Sequence, residues 1–443
     1  MKKIISLISI GLISIAVFAQ SVGTNKKWSY HFQLTAINQT HPSFKAKYYG
    51  DNSLSNTAEG RKLSLTTTLF LGHKLWKNGA LYFNPEITGG SGISSTKGIA
   101  GFTNGETFRI GSTAPALYIA RLFLRQHIPL KNTEYKTVVS SVNQVEEKIP
   151  TSRITITAGK ICLSDLFDNN TYSHDPRSEF MNWSLMSNAA WDYPADTRGY
   201  TQGVVAELIK PSFAIRFSSV MVPRKANGLK LDYKVTKAHS ETIEFEKTFK
   251  TKRPTVIRLL AYRSISQAPT YNNTLAEVKM GDSASVDVYT GEMEWKRYGG
   301  VKYGFGFNAE KEISGTIGTF LKASWNDGKT ATWAFTEIDQ SISAGINIKG
   351  DSWKRMNDNI GIAQVINGIS KAHQNFLNAG LYGFIIGDGK LNYGAETITE
   401  IYYKAQIAKS FFISADYQFL NNPAYNKDRG PVHVFAIRGH IEF

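Results

Sequence analysis

Charged side chains recur at every second position in several segments of this chain, where they alternate with apolar residues. In residues 116–128, for example, Arg121 and Arg125 alternate with Leu122 and Leu124. Arginine presents a planar fork of hydrogen-bond donors, and a carboxylate accepts hydrogen bonds from neighbouring hydroxyl groups. A row of such groups can hold a polar ligand through several weak contacts. The charged residues that share this position in the pattern are Glu86, Arg121, Arg125, His127, Glu207, Arg216, Arg258 and Asp416.

Two long polar segments, residues 89–115 and 161–199, combine aromatic rings with charged groups. Their chemically notable residues are Glu106 and Arg109 in the first segment and Asp165, Asp168, Trp183, Trp191, Asp192, Tyr193 and Arg198 in the second. Aromatic rings bury large apolar faces. The second segment is too aromatic to be left in water, and we take both as candidate binding loops.

No spacing in the sequence matches a common catalytic or zinc motif: H-E-x-x-H, G-x-S-x-G, a P-loop and G-x-G-x-x-G are all missing. The strings DLFDNN and SHDP are rich in carboxylates, but their spacing does not fit the calcium loop of an EF-hand. We favour hydrogen bonds to arginines there. The single cysteine, Cys162, has no partner for an internal disulfide. We predict no catalytic residue, no metal and no cofactor.

The elements that position these residues are predicted to be amphipathic strands. In the last stretch, VHVFAIRGHIEF, Phe435 and Ile437 share one parity, whereas Arg438 and His440 share the other. Successive side chains of a strand point to opposite faces, so one face suits lipid and the other suits water. A closing strand that ends on phenylalanine also resembles the signal by which outer-membrane barrels are recognised for insertion.

The alternation predicts about 16 strands, an even number within the range of single-chain bacterial barrels. Short connections such as KPS, KEIS and AKS alternate with long ones, as expected for tight turns on one rim and external loops on the other. Residues 131–150 are an exception to this alternation, because a long connection stands where a tight turn is expected. The predicted strands cover residues 28–36, 63–71, 81–87, 116–128, 153–159, 200–210, 212–221, 240–249, 254–264, 299–310, 313–325, 335–348, 358–367, 396–407, 411–420 and 432–443.

The first residues, MKKIISLISIGLISIAVFAQ, combine two lysines, an apolar run and small residues before a cleavage point. They predict a secretory signal peptide over residues 1–19, followed by one barrel domain over residues 20–443. No later run reaches about 18 apolar residues, which excludes a helical membrane protein. The formal net charge of +15 favours an acidic lipid surface or an anion-tolerant pore over nucleic acid, because the chain is exported.

These features together predict an all-β fold, a transmembrane antiparallel β-barrel of about 16 strands whose long external loops fold into the lumen. Backbone groups in lipid must be paired, so the sheet has to close on itself. A barrel of this size leaves a lumen wide enough for water. A soluble sandwich or propeller does not account for the export signal and the alternating connection lengths together. The loop aromatics either narrow the lumen or only brace the loops against the inner wall.

Long strings along the chain include, in order, GRKLSLTTTLFLGHKLW, LYFNPEITGG, AGFTNGETFRIGS, DLFDNNTYSHDPRSEFMNWSLM, AAWDYPADTRGYTQG, WNDGKTATWAFTEIDQSISAGI and GDGKLNYGAETITEIYY. These strings resemble the carbohydrate-selective porins of the OprB type. The resemblance runs from Trp28 to Phe443 and thins in residues 131–150 and 229–252. It implies a channel for passive diffusion of small sugars through the outer membrane of a Gram-negative cell.

The resemblance also implies partners, and the strand parity together with the two long loops predicts a site. The expected partners are small sugars, outer-membrane lipid and the barrel-assembly machinery, and the protein is either a monomer or a homotrimer. A sugar has apolar C–H faces that stack on aromatic rings and hydroxyls that donate and accept hydrogen bonds. The predicted pore-lining residues are Glu86, Glu106, Arg109, Arg121, Arg125, Asp165, Asp168, Trp183, Trp191, Asp192 and Arg198.

Three other functions are alternatives for a chain of this pattern. A general or anion-selective porin is the main alternative, because the basic charge permits it. A barrel enzyme acting on lipids needs a nucleophile and a base at the outer rim, and the sequence does not pair them. An energised transporter carries a separate plug domain, for which the early start of the strand pattern leaves no room.

Overall fold

A computed structural model of the chain describes residues 27–107, 113–249 and 251–443. The predicted signal peptide at residues 1–19 and Arg109 lie outside the described residues. The strands are β1 Trp28–His41, β2 Glu59–Trp76, β3 Gly79–Gly90, β4 Ala116–Pro129, β5 Tyr135–Val138, β6 Glu147–Pro150, β7 Arg153–Ile161, β8 Thr201–Lys210, β9 Phe213–Val220, β10 His239–Phe249, β11 Thr255–Ser266, β12 Gly300–Glu312, β13 Ile317–Asn326, β14 Gln340–Lys349, β15 Asn359–Gly368, β16 Glu396–Ala408, β17 Phe411–Asn421 and β18 Val432–Glu442.

Short helices occupy some of the connections between these strands. They are α1 Trp183–Met186, α2 Tyr271–Lys279, α3 Val286–Tyr289 and α4 Lys371–Asn378. In the described part of the chain, no helix is long and apolar enough to cross a membrane.

Sixteen of the described strands form a closed antiparallel barrel in which every strand except β5 and β6 takes part. The first and last strands close it, with Leu34 of β1 opposite Ile441 of β18. The backbone N–H of Phe32 donates to the carbonyl of Phe443 at 2.8 Å, and the two rings stack at 5.2 Å. β4 pairs directly with β7, because β5 and β6 form a separate hairpin between them. The predicted barrel is therefore confirmed.

Alternate side chains of each strand face opposite sides of the barrel wall, as the period of two requires. On β3, Tyr82 and Glu86 are fully buried inside, whereas Leu81 is exposed on the outer face. On β18, Ile437 is 61% exposed on the outer face and Arg438 is 0% exposed inside. The wall therefore has an apolar outer belt and a largely polar inner surface.

The two rims of the barrel differ. One rim, the turn end, carries tight connections such as the one between Lys210 and Phe213, which are paired in register. The opposite rim, the loop end, carries the long connections. The strand predicted over residues 335–348 starts later, at Gln340, because Phe335 and Ile338 are buried among the loops instead of continuing the wall.

The long loops fold into the barrel, where they build its main apolar core. Phe102, Trp183, Trp191 and Tyr193 are all buried in this loop layer. Helices α2 and α4 pack above it, and there the rings of Tyr271 and His373 stack at 4.4 Å. The hydrophobic core of the molecule thus lies inside the barrel, between loops.

Residues 131–150, which break the rhythm of short turns, contain the β5–β6 hairpin and fold back into the turn end of the barrel. Val145 near its tip is fully buried. The Ser140 hydroxyl lies 2.8 Å from that of Ser29 on β1. Gly72 makes room for the tip, since a Cβ atom there would lie 3.0 Å from Cγ1 of Val145. The hairpin is thus packed against the inner wall.

Candidate functional site

A cavity of about 740 Å³ lies inside the barrel between the loop layer and the inner wall. One side of it is aromatic: the rings of Phe102 and Trp183 stack at 4.8 Å, and Phe335 lies 5.1 Å from Trp183. The other side carries charged groups on β4, β7, β8 and β9, of which Arg121 and Arg125 are two. The cavity therefore brings apolar aromatic groups and hydrogen-bonding groups together around one space.

Arg177, in the loop between β7 and β8, links that loop to the wall beside the cavity. Its Nε donates to Glu106 at 2.9 Å and its Nη2 to Glu86 at 3.1 Å. The hydroxyls of Tyr118 and Tyr200 donate to the same Glu86 carboxylate, at 2.5 and 2.8 Å. Because Glu86 is fully buried, these donors replace the water that its charge would otherwise require.

A second charged pair joins the wall to the start of the same loop. Arg121 on β4 binds Asp165 through two parallel hydrogen bonds, from Nε at 2.5 Å and from Nη2 at 2.7 Å. The Arg121 guanidinium also lies 5.2 Å from the centre of the Tyr200 ring. Bidentate pairing fixes the orientation of both groups. The pair presents a fixed donor and acceptor surface to the cavity.

Carboxylates that point inward from the wall hold the backbone of this loop. The N–H of Asp168 donates to Glu244 at 2.6 Å, and the N–H of Asn182 donates to Glu400 at 2.9 Å. In addition, Glu310 on β12 accepts from the N–H of Thr171. A buried backbone N–H needs a partner, and a charged acceptor makes a strong one. Several wall charges are therefore occupied by the loop and not by the cavity.

Burial shifts the pKa values of loop groups. Burial opposes charge on Arg177, but the carboxylates of Glu106 and Glu86 raise its pKa above the ordinary value. Burial also raises the pKa of Glu179 to about 7, and the nearby charge of Asp175 acts in the same direction. Arg177 therefore stays charged, whereas Glu179 titrates near neutral pH.

The predicted site residues fall into two groups. Those that line the cavity are Glu106, Arg121, Arg125, Asp165, Trp183 and Arg198, together with the inward-facing His127, Glu207 and Arg216. Those buried outside its lining are Glu86, Asp168, Trp191, Asp192, Arg258 and Asp416. Asp192, for example, accepts the N–H groups of Trp333 and Phe335 at 2.8 and 2.9 Å. Glu86, Asp168 and Asp192 therefore brace the loops, whereas Arg258 pairs with Glu246 on the neighbouring strand.

The acid-rich strings have hydrogen-bond donors within the protein. Asp168 accepts from the side-chain amides of Asn188 and Asn308 at 2.8 and 2.6 Å. Asp175 accepts from the Ser178 hydroxyl at 2.9 Å. Within the described residues, no group of three or more His, Cys, Asp and Glu side chains is arranged to hold a metal ion.

The sequence interpretation missed several lining residues: Arg153, Arg177, Tyr200 and residues 141–144 of the hairpin tip. Arg153 stands at the start of a predicted strand and shares the parity of Thr155 and Thr157, which indicates that its side chain points inward. Arg177 lies in a loop, where no periodic pattern indicates a direction. The hairpin sequence likewise shows no periodic pattern that indicates which of its residues face the cavity.

Comparisons with known proteins agree with this architecture. Pseudomonas putida OprB at high pH superposes with a TM-score of 0.70, at 13% identity over 95% of each chain. Its low-pH structure gives a TM-score of 0.50 at 10% identity, over 95% of this chain and 93% of that one. The outer membrane channel DcaP of Acinetobacter baumannii gives 0.50 at 10% identity, over 94% and 97%. At these identities the likeness concerns the fold alone.

The family assignment comes from sequence. No curated protein matches the chain in a direct comparison. Residues 60–443, however, match the family described as "Carbohydrate-selective porin, OprB family". Porins of this type are channels of the outer membrane and not enzymes. Since the match covers most of the chain, the protein belongs to the OprB family of carbohydrate-selective porins.

Proposed function

We propose that the protein is an outer-membrane channel for passive diffusion of small sugars, and that the cavity of about 740 Å³ selects them. The observation that carries this proposal is the pairing of an aromatic side with a charged side across one cavity. That combination matches the two kinds of surface on a sugar, its C–H faces and its hydroxyls.

The aromatic side is rigid. Trp183 is only 4% exposed and is held between Phe102 and Phe335. A ring fixed in this way contacts a sugar through the atoms that reach the cavity, without losing side-chain freedom on contact.

The charged side supplies donors and acceptors in alternation. Arg121 and Arg177 donate, whereas Asp165 and Glu106 accept. These groups already hydrogen-bond to one another, so only their remaining lone pairs and N–H groups can bind a sugar hydroxyl. Each contact is therefore weak, which a diffusion channel requires for release.

The outer face supports the proposed location. Large apolar side chains such as Leu117, Phe305 and Ile437 are exposed on the outside of the wall. Their contact with lipid would bury this apolar belt. Insertion through the barrel-assembly machinery, guided by β18, completes the proposal.

The experiment is ion-current block in a planar bilayer. Mono- and disaccharides are added to the wild type, to Trp183→Leu and to Trp325→Leu, whose ring is exposed on the outer face. We expect sugars to block the wild-type current, Trp183→Leu to weaken the block severalfold and Trp325→Leu to leave it unchanged. Absence of any sugar-dependent block in the wild type would overturn the proposal and favour a general porin.

A further inference from the structure

Two arginines at the turn end of the cavity differ from the other arginines that line it. Arg121, Arg177 and Arg216 each have a carboxylate oxygen within 4.0 Å. Arg125 and Arg153 line the same cavity, and in the described residues no carboxylate oxygen comes within 4.0 Å of either. Their positive charges are not neutralised by an ion pair.

Backbone carbonyls of the hairpin segment hold both guanidinium groups in place. Nη1 of Arg125 donates to the carbonyl of Asn143 at 3.0 Å. Nη1 of Arg153 donates to the carbonyl of Pro150 at 2.9 Å. A carbonyl orients a guanidinium but carries no net charge, whereas a carboxylate would cancel the charge. The hairpin therefore positions the two cations and leaves them available.

The nearest carboxylates have other partners. Glu207, which also lines the cavity, accepts from Nε of Arg216 at 3.2 Å. Glu147 on the hairpin lies 3.7 Å from the ammonium group of Lys74. Arg198 lacks a carboxylate partner too, but its guanidinium lies 4.0 Å from the centre of the Tyr118 ring, closer than Arg125 lies to the rings of Tyr82 and Phe123, at 5.3 and 5.2 Å.

The hairpin tip is fixed, so this arrangement is built into the fold. Val145 is fully buried, and Ser140 lies 3.0 Å from Nε2 of His31. Residues 141–144 line the cavity next to the two arginines. The space in front of the guanidinium groups is therefore part of the cavity and is not filled by the tip.

We propose that Arg125 and Arg153 form a binding subsite with two successive positions for the oxyanion of an acidic sugar, a carboxylate or a phosphate, at the turn end of the cavity. This inference rests on the proposed function and specifies a substrate class for the same cavity. Arg125 faces Thr157 in the register, and Arg153 stands four residues before Thr157 on the same strand. The two Cα positions are thus offset by about 13 Å along the wall.

Because of this offset, an anion meets the two arginines one after the other. Arg121 lies four residues before Arg125 on β4, so the three arginines form one inward-facing row. An anionic group can pass from one guanidinium to the next without meeting an unpaired protein carboxylate. Dissolved salt screens each contact, which keeps the residence time short.

The test compares three permeants of similar size, namely glucose, glucuronate and glucose 6-phosphate, in liposomes that contain the full chain. The variants are Arg125→Gln and Arg153→Gln, with Arg125→Lys to restore the charge. Lys136→Gln removes a charge from an exposed position of the same hairpin as the control. Heat-dependent gel migration verifies that each barrel is folded.

We expect the ratio of acidic-sugar flux to glucose flux to fall roughly three- to tenfold in each Gln variant. It should stay near the wild-type value in Lys136→Gln, Arg125→Lys should restore part of the loss seen in Arg125→Gln, and the difference should shrink at high salt. A loss with either acid supports the subsite. Unchanged ratios for both acids, with glucose still passing, overturn it and leave the proposed function intact. Failure of glucose to pass the wild type overturns the proposed function itself.

Discussion

The guanidinium of Arg177 lies 3.1 Å from the carboxylate of Glu86, although the two residues are 91 positions apart in the chain. The contact joins the loop between β7 and β8 to β3. It stands beside the cavity, with Glu106 bound to the same guanidinium. Arg177 is therefore one of the cations that hold this loop against the wall beside the cavity.

Replacing Arg177 with Gln should release the loop, because buried Glu86 and Glu106 lose their cation. Breaking a buried ion pair costs about 3–5 kcal/mol. We expect a larger and noisier single-channel conductance and a lower unfolding temperature. Arg355→Gln is the control, since Arg355 pairs with Asp358 in a turn. Equal conductance in both variants would count against this role of Arg177.

Replacing residues 131–150 with a short turn should enlarge the channel at the turn end. Residues 141–144 line the cavity, so their removal opens that side. The measurement is single-channel conductance in the same salt. Shortening the connection after β14, at Gly350–Trp353, serves as the control because it does not line the cavity. If conductance stays unchanged after the hairpin is removed, the hairpin has no role in the pore.

Gly72→Val should displace the hairpin without deleting it. A Cβ atom at Gly72 would lie 3.0 Å from Val145 and 3.1 Å from the Tyr82 ring, so the tip has to move. We expect faster trypsin cleavage at the hairpin lysines. Gly60→Val is matched to it, since a Cβ at Gly60 meets nothing within 4 Å. Equal cleavage of the two variants would show that the tip tolerates the added bulk.

The loop around Glu179 should be held more firmly in mild acid than in base. Burial raises the pKa of Glu179 from 4.5 to about 7 in the folded state. The folded state thus favours the protonated form, and this stabilisation is complete below about pH 4.5 and lost as the pH rises through 7. Asp175 and Lys404 are the charged neighbours.

We therefore expect conductance fluctuations to increase between pH 5 and 8 in the wild type. Glu179→Gln should remove most of this dependence, because its amide stays neutral throughout. Glu292→Gln, in an exposed loop, should behave like the wild type. A wild-type conductance that is flat across this range would contradict the assignment.

The wall could be predicted from the sequence because its pattern is local. Leu122 and Leu124 alternate with Phe123 and Arg125, and this alternation can be recognised from neighbouring residues alone. The structure places these side chains on the expected faces. The contact of Arg177 with Glu86 depends on where a loop returns to the wall, which no period encodes.

The parity of a strand residue predicts the direction of its side chain but not the group that the side chain binds. It correctly points Glu207 and Arg216 inward, where they line the cavity. It does not show that Glu244, Glu310 and Glu400 on the same inner face bind loop backbone. The identity of the partner appears only when the loops are in place.

The carboxylates of Glu244, Glu310 and Glu400 accept hydrogen bonds from main-chain N–H groups, which every residue type except proline possesses. The main-chain attachments at Thr171 and Asn182 are therefore available to almost any replacement residue. Descendants of this protein can change the lining face of the loop while its anchorage persists. New substrate preferences can then arise by drift in the loop, with no redesign of the strands.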